Sequence, residues 1–141
     1  MGNVRFCSLT HDEDGRIWHE GKLFTGVGVD YWQNGQIGSE LSYLDGIQDG
    51  WTRGWHENGV LRKETFYRTG KATGTRSEWH PNGQLKLEEE IEHGICLWSK
   101  EWNDQGEHLK EYQLAKGDPL FNAIESRRRA ERSTIKPPDA K

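Results

Sequence analysis

The residues of this chain that could carry acid–base or metal chemistry recur at a nearly constant spacing. Six residues stand out in this way: Glu40, Glu64, Glu88, Glu111, His56 and His80. Two carboxylates can act as the acid and base of a hydrolase, and two imidazoles can bind a transition metal. Either activity requires the paired side chains to converge on one substrate or one ion, so it depends on the elements that position them.

Those elements are predicted by a repeat of about 24 residues, in which an aromatic residue precedes an amide and a glycine. The repeated segments are Tyr31-Trp32-Gln33-Asn34-Gly35, Trp55-His56-Glu57-Asn58-Gly59, Trp79-His80-Pro81-Asn82-Gly83 and Trp102-Asn103-Asp104-Gln105-Gly106. Asn-Gly between two alternating segments predicts a β-hairpin, with positive φ at both central residues of its turn. The sequence therefore predicts an all-β fold. This is an elongated antiparallel sheet of β-hairpin repeats, a meander or solenoid, with a short C-terminal capping α-helix.

The hairpin spacing argues against chemistry shared between equivalent residues. Neighbouring strands lie about 4.8 Å apart, so residues one hairpin apart are separated by roughly 9.6 Å. His56 and His80 would then be too far apart to bind one metal ion, which needs ligands at about 2.1 Å. The glutamates have the spacing of an inverting carboxylate pair, but no neighbouring sequence buries one carboxyl group to raise its pKa. We expect exposed turn histidines, solvated glutamates, no catalytic residue, no cofactor and no metal site, and hence no enzyme.

The composition is typical of a repeat protein with little central core. The chain has 141 residues, of which 32% are hydrophobic and 11% aromatic, and its mean hydropathy is -1.00. Each unit of a solenoid buries one face on its neighbours, so stability does not require a large interior. In the strand after each turn, period-2 alternation predicts Leu61, Thr65 and Tyr67 on a mostly apolar face and Arg62 and Glu64 on the polar face.

Charge is distributed unevenly along the chain. Residues 1–124 carry 13 Lys and Arg against 20 Asp and Glu, a net charge of -7, whereas residues 125–141 carry 6 against 3. An acidic body is poorly suited to binding nucleic acid through its phosphates and suits a basic protein partner. The N-terminus has no signal-peptide apolar region, and no stretch approaches the roughly 20 apolar residues of a membrane span. We expect a cytoplasmic protein in which Cys7 and Cys96 are reduced thiols.

The predicted domain organisation follows the repeats. Four parts are expected: N-terminal capping strands with a degenerate repeat (1–26), four hairpin repeats (27–117), a C-terminal helix (118–133) and a disordered tail (134–141).

The predicted helix starts at Asp118, as its N-cap, with Pro119 as the first helical residue. Its apolar residues Leu120, Phe121 and Ile124 are expected to fold back onto the last hairpin and protect its edge. Its arginines, at positions between 127 and 132, would either complement the C-terminal helix dipole or contact nucleic acid or lipid.

Over residues 31–117 the repeat resembles a known family. The pattern aromatic-x-x-Asn-Gly-x-Leu-x-x-Glu, followed by an aromatic or aliphatic residue and then by Gly-x-x-x-Gly, is similar to the MORN-variant repeat. Such units occur in bacterial proteins of the YwqK-type antitoxin family, small cytosolic proteins proposed to neutralise a cognate toxin. The resemblance implies an antitoxin or immunity protein that binds a toxin and blocks its active site, and it supplies no catalytic residues.

The contacts to such a toxin are expected to be aromatic residues flanked by charges, because such residues carry most of the binding energy of protein interfaces. The acidic body would dock over a basic active-site surface, without direct contact to nucleic acid. Trp32 is chosen because it breaks the aromatic row, and Arg53 and Lys100 because they line a predicted groove. The full set of predicted partner-binding residues is Trp32, Trp51, Arg53, Glu64, Trp98 and Lys100.

Two other functions remain open at this point. A scaffold for membrane-surface association or dimerisation would use the same hairpins and the arginine-rich C-terminal segment. A carbohydrate-binding module would use the regular tryptophans Trp55, Trp79 and Trp102 as a stacking platform, although we assign these three to packing.

Overall fold

The computed structural model describes residues 3–134 and contains twelve β-strands, one 3-10 turn at Phe6–Ser8 and one α-helix. The strands are β1 Asn3–Arg5, β2 Thr10–His11, β3 Ile17–His19, β4 Lys22–Leu23, β5 Gly26–Tyr31, β6 Ile37–Leu44, β7 Ile47–Trp55, β8 Leu61–Arg68, β9 Lys71–Trp79, β10 Leu85–Glu92, β11 Ile95–Trp102 and β12 His108–Gln113. The helix α1 spans Pro119–Thr134. The predicted disordered tail, 134–141, lies outside the described residues except for Thr134.

Nine strands form one long sheet in the order β1-β5-β6-β7-β8-β9-β10-β11-β12. From β5 to β12 every neighbouring pair is antiparallel and consecutive in the chain, so this part is a meander of hairpins. The predicted all-β repeat sheet with a C-terminal helix is therefore confirmed. β1 joins the N-terminal edge in parallel to β5, while β2, β3 and β4 form a separate small sheet.

The turns at the Asn-Gly positions differ from the prediction. In the first of them the Gly35 N–H donates to the Trp32 carbonyl at 2.9 Å, and the Trp32 N–H donates to the Gln36 carbonyl at 2.8 Å. Gly35 has a φ of 86°, but Asn34 does not have positive φ. This is a three-residue loop, a type I turn followed by a left-handed glycine, and the expectation of positive φ at both central residues is wrong.

Turns with two positive φ values occur instead at the opposite ends of the strands. Asp45 and Gly46 have φ values of 49° and 80°, and Thr69-Gly70 and His93-Gly94 repeat this conformation. Such two-residue loops match the right-handed twist of the flanking strands. The meander therefore alternates three-residue turns at one side of the sheet with two-residue turns at the other.

Each three-residue turn is followed by a β-bulge that changes which residues share a face. In the second unit Leu61 pairs with Trp55, whereas Lys63 pairs with Gly54, so Arg62 is the extra residue. Equivalent shifts occur in the other units. The prediction of strict alternation along this strand is therefore wrong. Because the bulge adds one residue between them, Leu61 lies on the same face as Glu64.

Hydrogen bonds from each turn to the next join the units. The Asn58 side chain accepts from the Val60 N–H at 3.0 Å and donates to the Pro81 carbonyl at 2.8 Å. Equivalent bonds join Asn34 to the Glu57 carbonyl at 3.0 Å and Asn82 to the Asp104 carbonyl at 2.6 Å. The side-chain amide of each asparagine thus closes its own turn and also binds the turn of the following unit.

A second column of donors lies beside these asparagines. The His56 Nε2 atom lies 2.8 Å from the Trp79 carbonyl oxygen, and His80 Nε2 lies 2.9 Å from that of Trp102. Both histidines are half-buried, so the expectation of exposed turn histidines is wrong. Each imidazole is ordered because its N–H satisfies a backbone acceptor in the next unit.

Asn58→Ala is expected to lower the free energy of unfolding by about 1 to 2 kcal/mol, since it removes two hydrogen bonds, each contributing roughly 0.5 to 1.5 kcal/mol. Asn58→Asp keeps the acceptor for Val60 but places a carboxylate oxygen against the Pro81 carbonyl oxygen, so it should lose at least as much stability. Urea denaturation of both variants measures the difference. A loss below about 0.3 kcal/mol for Asn58→Ala would contradict the clamping role.

Helix α1 is capped by Asp118, whose carboxylate accepts from the Leu120 N–H at 2.8 Å. The helix lies against the β10–β11 turn. Ile124 is only 2% exposed, while Leu120 is 49% exposed, so the expectation that Leu120 packs onto the sheet is wrong. The Arg128 guanidinium binds both oxygens of Glu92, at 2.6 and 2.8 Å.

The Glu92–Arg128 pair makes helix docking pH-dependent. Hydrogen bonds from Arg128 lower the pKa of Glu92, against the opposing effect of partial burial. The pKa of Glu92 is lower in the folded protein than in the unfolded chain, where it is near 4.3. The stabilisation of helix docking by the pair is therefore fully present above this unfolded pKa and is lost as pH falls through the folded pKa. We expect the protection factor of the Ile124 amide, which corrects the exchange rate for its intrinsic pH dependence, to fall below about pH 4. Arg128→Gln should show a smaller pH-dependent change, and equal pH profiles for both proteins would refute the linkage.

Candidate functional site

One face of the sheet, which we call face A, collects five of the six predicted partner-binding residues. The register places Arg53 opposite Glu64 and Trp51 opposite Phe66, and it places Lys100 opposite both Glu88 and Glu111. Trp98 lies two residues before Lys100 on the same strand. Directly opposed residues in antiparallel strands share a face, so Trp51, Arg53, Glu64, Trp98 and Lys100 lie together on face A.

Arg53 is the centre of an ordered network on face A. Its Nε atom lies 2.8 Å from Glu64 and its Nη1 atom 3.6 Å from Glu40. Its guanidinium carbon lies 4.7 Å from the centre of the Trp51 ring, and that ring meets Phe66 edge-on at 5.1 Å. These contacts hold a cation and a 38% exposed tryptophan in one fixed arrangement.

Trp98 and Lys100 form the corresponding pair near the C-terminal edge. They line an open depression together with Glu111, Tyr112 and Gln113. Lys100 is exposed and Trp98 is half-buried. The predicted groove residues Arg53 and Lys100 are therefore on one face but at separate sites, four strands apart in the sheet order.

Trp32 lies in the first three-residue turn, away from the face A pairs. Its indole N–H donates to the Trp55 carbonyl at 3.0 Å, the bond that His56 and His80 make in later units. The expectation that Trp32 breaks the repeat is therefore wrong. This column of donors was missed at the level of sequence, although Trp32, His56, His80 and Asn103 occupy equivalent positions.

The described residues contain no group of three or more His, Cys, Asp or Glu side chains placed to hold a metal ion. Cys7 and Cys96 are both free thiols. Burial, and then the neighbouring Glu89, raise the pKa of Cys96. No helix within 3–134 is long and apolar enough to cross a membrane. Face A thus presents aromatic surface, cations and carboxylates at the spacing set by the strands.

Two adjacent hairpins match the MORN repeat variant family model, over residues 48–69 and 72–93. These segments cover β7 with β8 and β9 with β10. No curated protein matches the chain.

A solved structure titled "Crystal structure of accessory secretory protein 1,2 and 3 in Streptococcus pneumoniae" is similar to the chain at 10% sequence identity, with a TM-score of 0.37. The alignment covers 91% of this chain and 28% of that chain. The present chain thus spans little more than a quarter of that protein's length.

Proposed function

We propose that this chain is a non-catalytic antitoxin or immunity protein, which acts in the cytoplasm by binding a cognate bacterial toxin through face A and blocking its active site. At a coarser level, its MORN-variant repeats are those of a protein-interaction scaffold. The observation that supports the proposal best is the ordered pairing of Trp51 with Arg53 on a sheet face, with Trp98 and Lys100 at the equivalent positions of the fourth unit. Tryptophan and arginine are enriched among the residues that dominate interface energies.

Rigidity supports the same function. The turn-to-turn bonds from Asn34, Asn58 and Asn82 hold successive hairpins in fixed positions. A surface that is already ordered loses little conformational entropy on binding, so more of the contact energy appears as affinity. The net charge of -7 over residues 1–124 favours a toxin with a basic active-site surface, as in enzymes that act on nucleic acid.

Co-expression with the product of the neighbouring gene tests the proposal. That product is expected to be toxic alone, to lose its toxicity when this chain is present, and to co-purify with it. If the product is harmless alone, or if the two proteins do not co-purify, the proposed function fails.

Reversing the charge of Glu64 is expected to slow association with that toxin about 3- to 10-fold at low salt, because steering by complementary charge acts mainly on the association rate. Glu64→Lys is compared with Glu57→Lys, which makes the same charge change in an exposed turn. Surface plasmon resonance at two salt concentrations measures both rates. Equal slowing in the two variants would show that only net charge matters and that Glu64 has no special position.

A dimerisation scaffold is the second candidate function, favoured by the open edge of the sheet. All six residues of β12, His108–Gln113, are exposed, so one row of backbone groups is available for pairing with another strand. Two of the helix arginines on which a membrane-surface role would depend, Arg127 and Arg128, contact the sheet at His93 and Glu92. Sedimentation velocity over a range of concentrations tests dimerisation directly.

A further inference from the structure

A row of equivalent positions on face A carries a cation in two of the four units, whereas the first unit has the buried Val29 there, opposite Glu40. A cation lies directly between two glutamates in the second unit, where Arg53 is opposite Glu40 and Glu64. In the fourth unit Lys100 is opposite Glu88 and Glu111. The third unit has Ser77 in this position, directly opposite Glu64 and Glu88.

The third unit also lacks the aromatic residue, as does the first, which has Val27 in that position. Two residues before Arg53 and Lys100 stand Trp51 and Trp98, whereas two residues before Ser77 stands Thr75. Thr75 is exposed, and its hydroxyl donates to Glu90 at 3.0 Å. Two small side chains thus stand where the second and fourth units have a tryptophan and a cation, and we call this part of face A, between the Trp51–Phe66 pair and Trp98, the notch.

The charge of this notch is incompletely balanced by the chain. Glu64 shares Arg53 with Glu40, and Glu88 forms no ion pair with any residue between 3 and 134. Two glutamates on alternate strands are roughly 9.6 Å apart at the backbone. Arg53 contacts two such glutamates at 2.8 and 3.6 Å, so one guanidinium spans this spacing within the same sheet.

We propose that the notch over Ser77 receives an arginine side chain from the partner protein, with its guanidinium between Glu64 and Glu88 and its aliphatic stem over Thr75. This inference rests on the proposed function, since it identifies the part of face A that the toxin enters. Charge complementarity selects a cation, and the planar fork of arginine fits two carboxylates better than the compact ammonium of lysine does. The partner would thereby complete the pattern that Arg53 and Trp51 form within the chain.

The test uses the isotopically labelled full chain and two peptides, acetyl-Gly-Arg-Gly-amide and the same peptide with neutral citrulline in place of arginine. The arginine peptide is expected to shift the amide resonances of Glu64, Ser77 and Glu88 with saturation, at a dissociation constant in roughly the millimolar range. The citrulline peptide should bind at least about 5-fold more weakly, because it has the same shape without the charge.

Ser77→Arg supplies the cation from the chain itself and is expected to abolish these shifts. Ser99→Arg adds the same charge on the opposite face, since Ser99 alternates with Lys100 on β11, and should leave them unchanged. Glu88→Gln provides a second variant of minimal size change and should weaken the arginine peptide about 5-fold or more. Shifts that survive in Ser77→Arg, that are equal for the two peptides, or that spread evenly over acidic residues would overturn the proposal.

The two proposals fail in different ways. If the notch does not bind the arginine peptide while the neighbouring gene product still co-purifies and is neutralised, the antitoxin function stands and its contact lies elsewhere on the sheet. If the peptide binds but no toxin is found, the notch is a site for an arginine-bearing protein of another kind.

Discussion

Replacing Gly46 by alanine is expected to lower the free energy of unfolding by roughly 2 to 5 kcal/mol. Gly46 has a φ of 80°, and a left-handed conformation costs an L-residue about 1 to 2 kcal/mol. An added Cβ would also lie 2.8 Å from the Ile17 carbonyl oxygen and 2.9 Å from the Leu23 side chain. Overpacking of this kind costs a further 1 to 3 kcal/mol or so.

Gly94→Ala is the matched control. Gly94 has a φ of 79° in an equivalent two-residue turn, but nothing lies within 4 Å of the position of an added Cβ. It should therefore lose only about 1 to 2 kcal/mol. Urea denaturation followed by tryptophan fluorescence measures both. Equal losses would show that the surrounding residues accommodate the added methyl group at Gly46 without overpacking.

Truncating Ile124 is expected to release the C-terminal helix. Ile124 is 2% exposed, and replacing such a buried isoleucine with alanine costs about 2 to 5 kcal/mol. Leu120 lies one turn earlier and is 49% exposed, so Leu120→Ala should change stability by no more than about 0.5 kcal/mol. Hydrogen exchange of the helix amides measures the docking free energy in each variant.

The sheet itself is expected to respond less than the helix to the loss of Ile124, because the hairpins are held by their own ladders and turn bonds. Exchange at Thr65, which is 6% exposed, provides the comparison. If exchange in the helix and at Thr65 accelerates equally in Ile124→Ala, the helix and sheet unfold as one unit, and the helix is a part of the core rather than a cap.

The strands from β5 to β12 could be predicted because their signals are local. Each Asn-Gly pair stands between two segments rich in β-forming residues, and the same signals recur in register. The turn conformation could not be predicted from the pair alone. Asn58 uses its side chain both to close its own turn and to reach Pro81, and a type I turn with a left-handed glycine satisfies these bonds.

The prediction of which residues share a face of the sheet was wrong because of the same three-residue turns. Period-2 alternation assumes an unbroken ladder, but the extra residue after each three-residue turn, Arg62 in the second unit, displaces the residues before it to the other face. This error had little effect on the predicted candidate site. Glu64 lies beyond the bulge of β8, whereas Arg53 and Lys100 lie on strands that precede a three-residue turn, and the register brings all three together on face A.

The N-terminal segment was the least predictable part of the chain. β1 pairs in parallel with β5, joining Asn3 to Val27, and the small sheet meets the Gly46 turn through the Ile17 N–H at 2.8 Å. These contacts join residues more than twenty positions apart without any repeat to mark them. Hydrophobic periodicity carries no information about such pairings, so only the presence of capping strands could be inferred.

The turn-to-turn bonds have a direction. Each unit offers side-chain donors to the unit after it, while the acceptors are backbone carbonyls, supplied by residues as different as Glu57, Pro81 and Asp104. A carbonyl is present whatever the residue type, so a duplicated unit would be accepted at its leading side without any compensating mutation. Lineages of such chains would then lengthen by whole hairpins, and the reach of the surface toward a partner would evolve in steps of roughly 9.6 Å instead of by gradual drift.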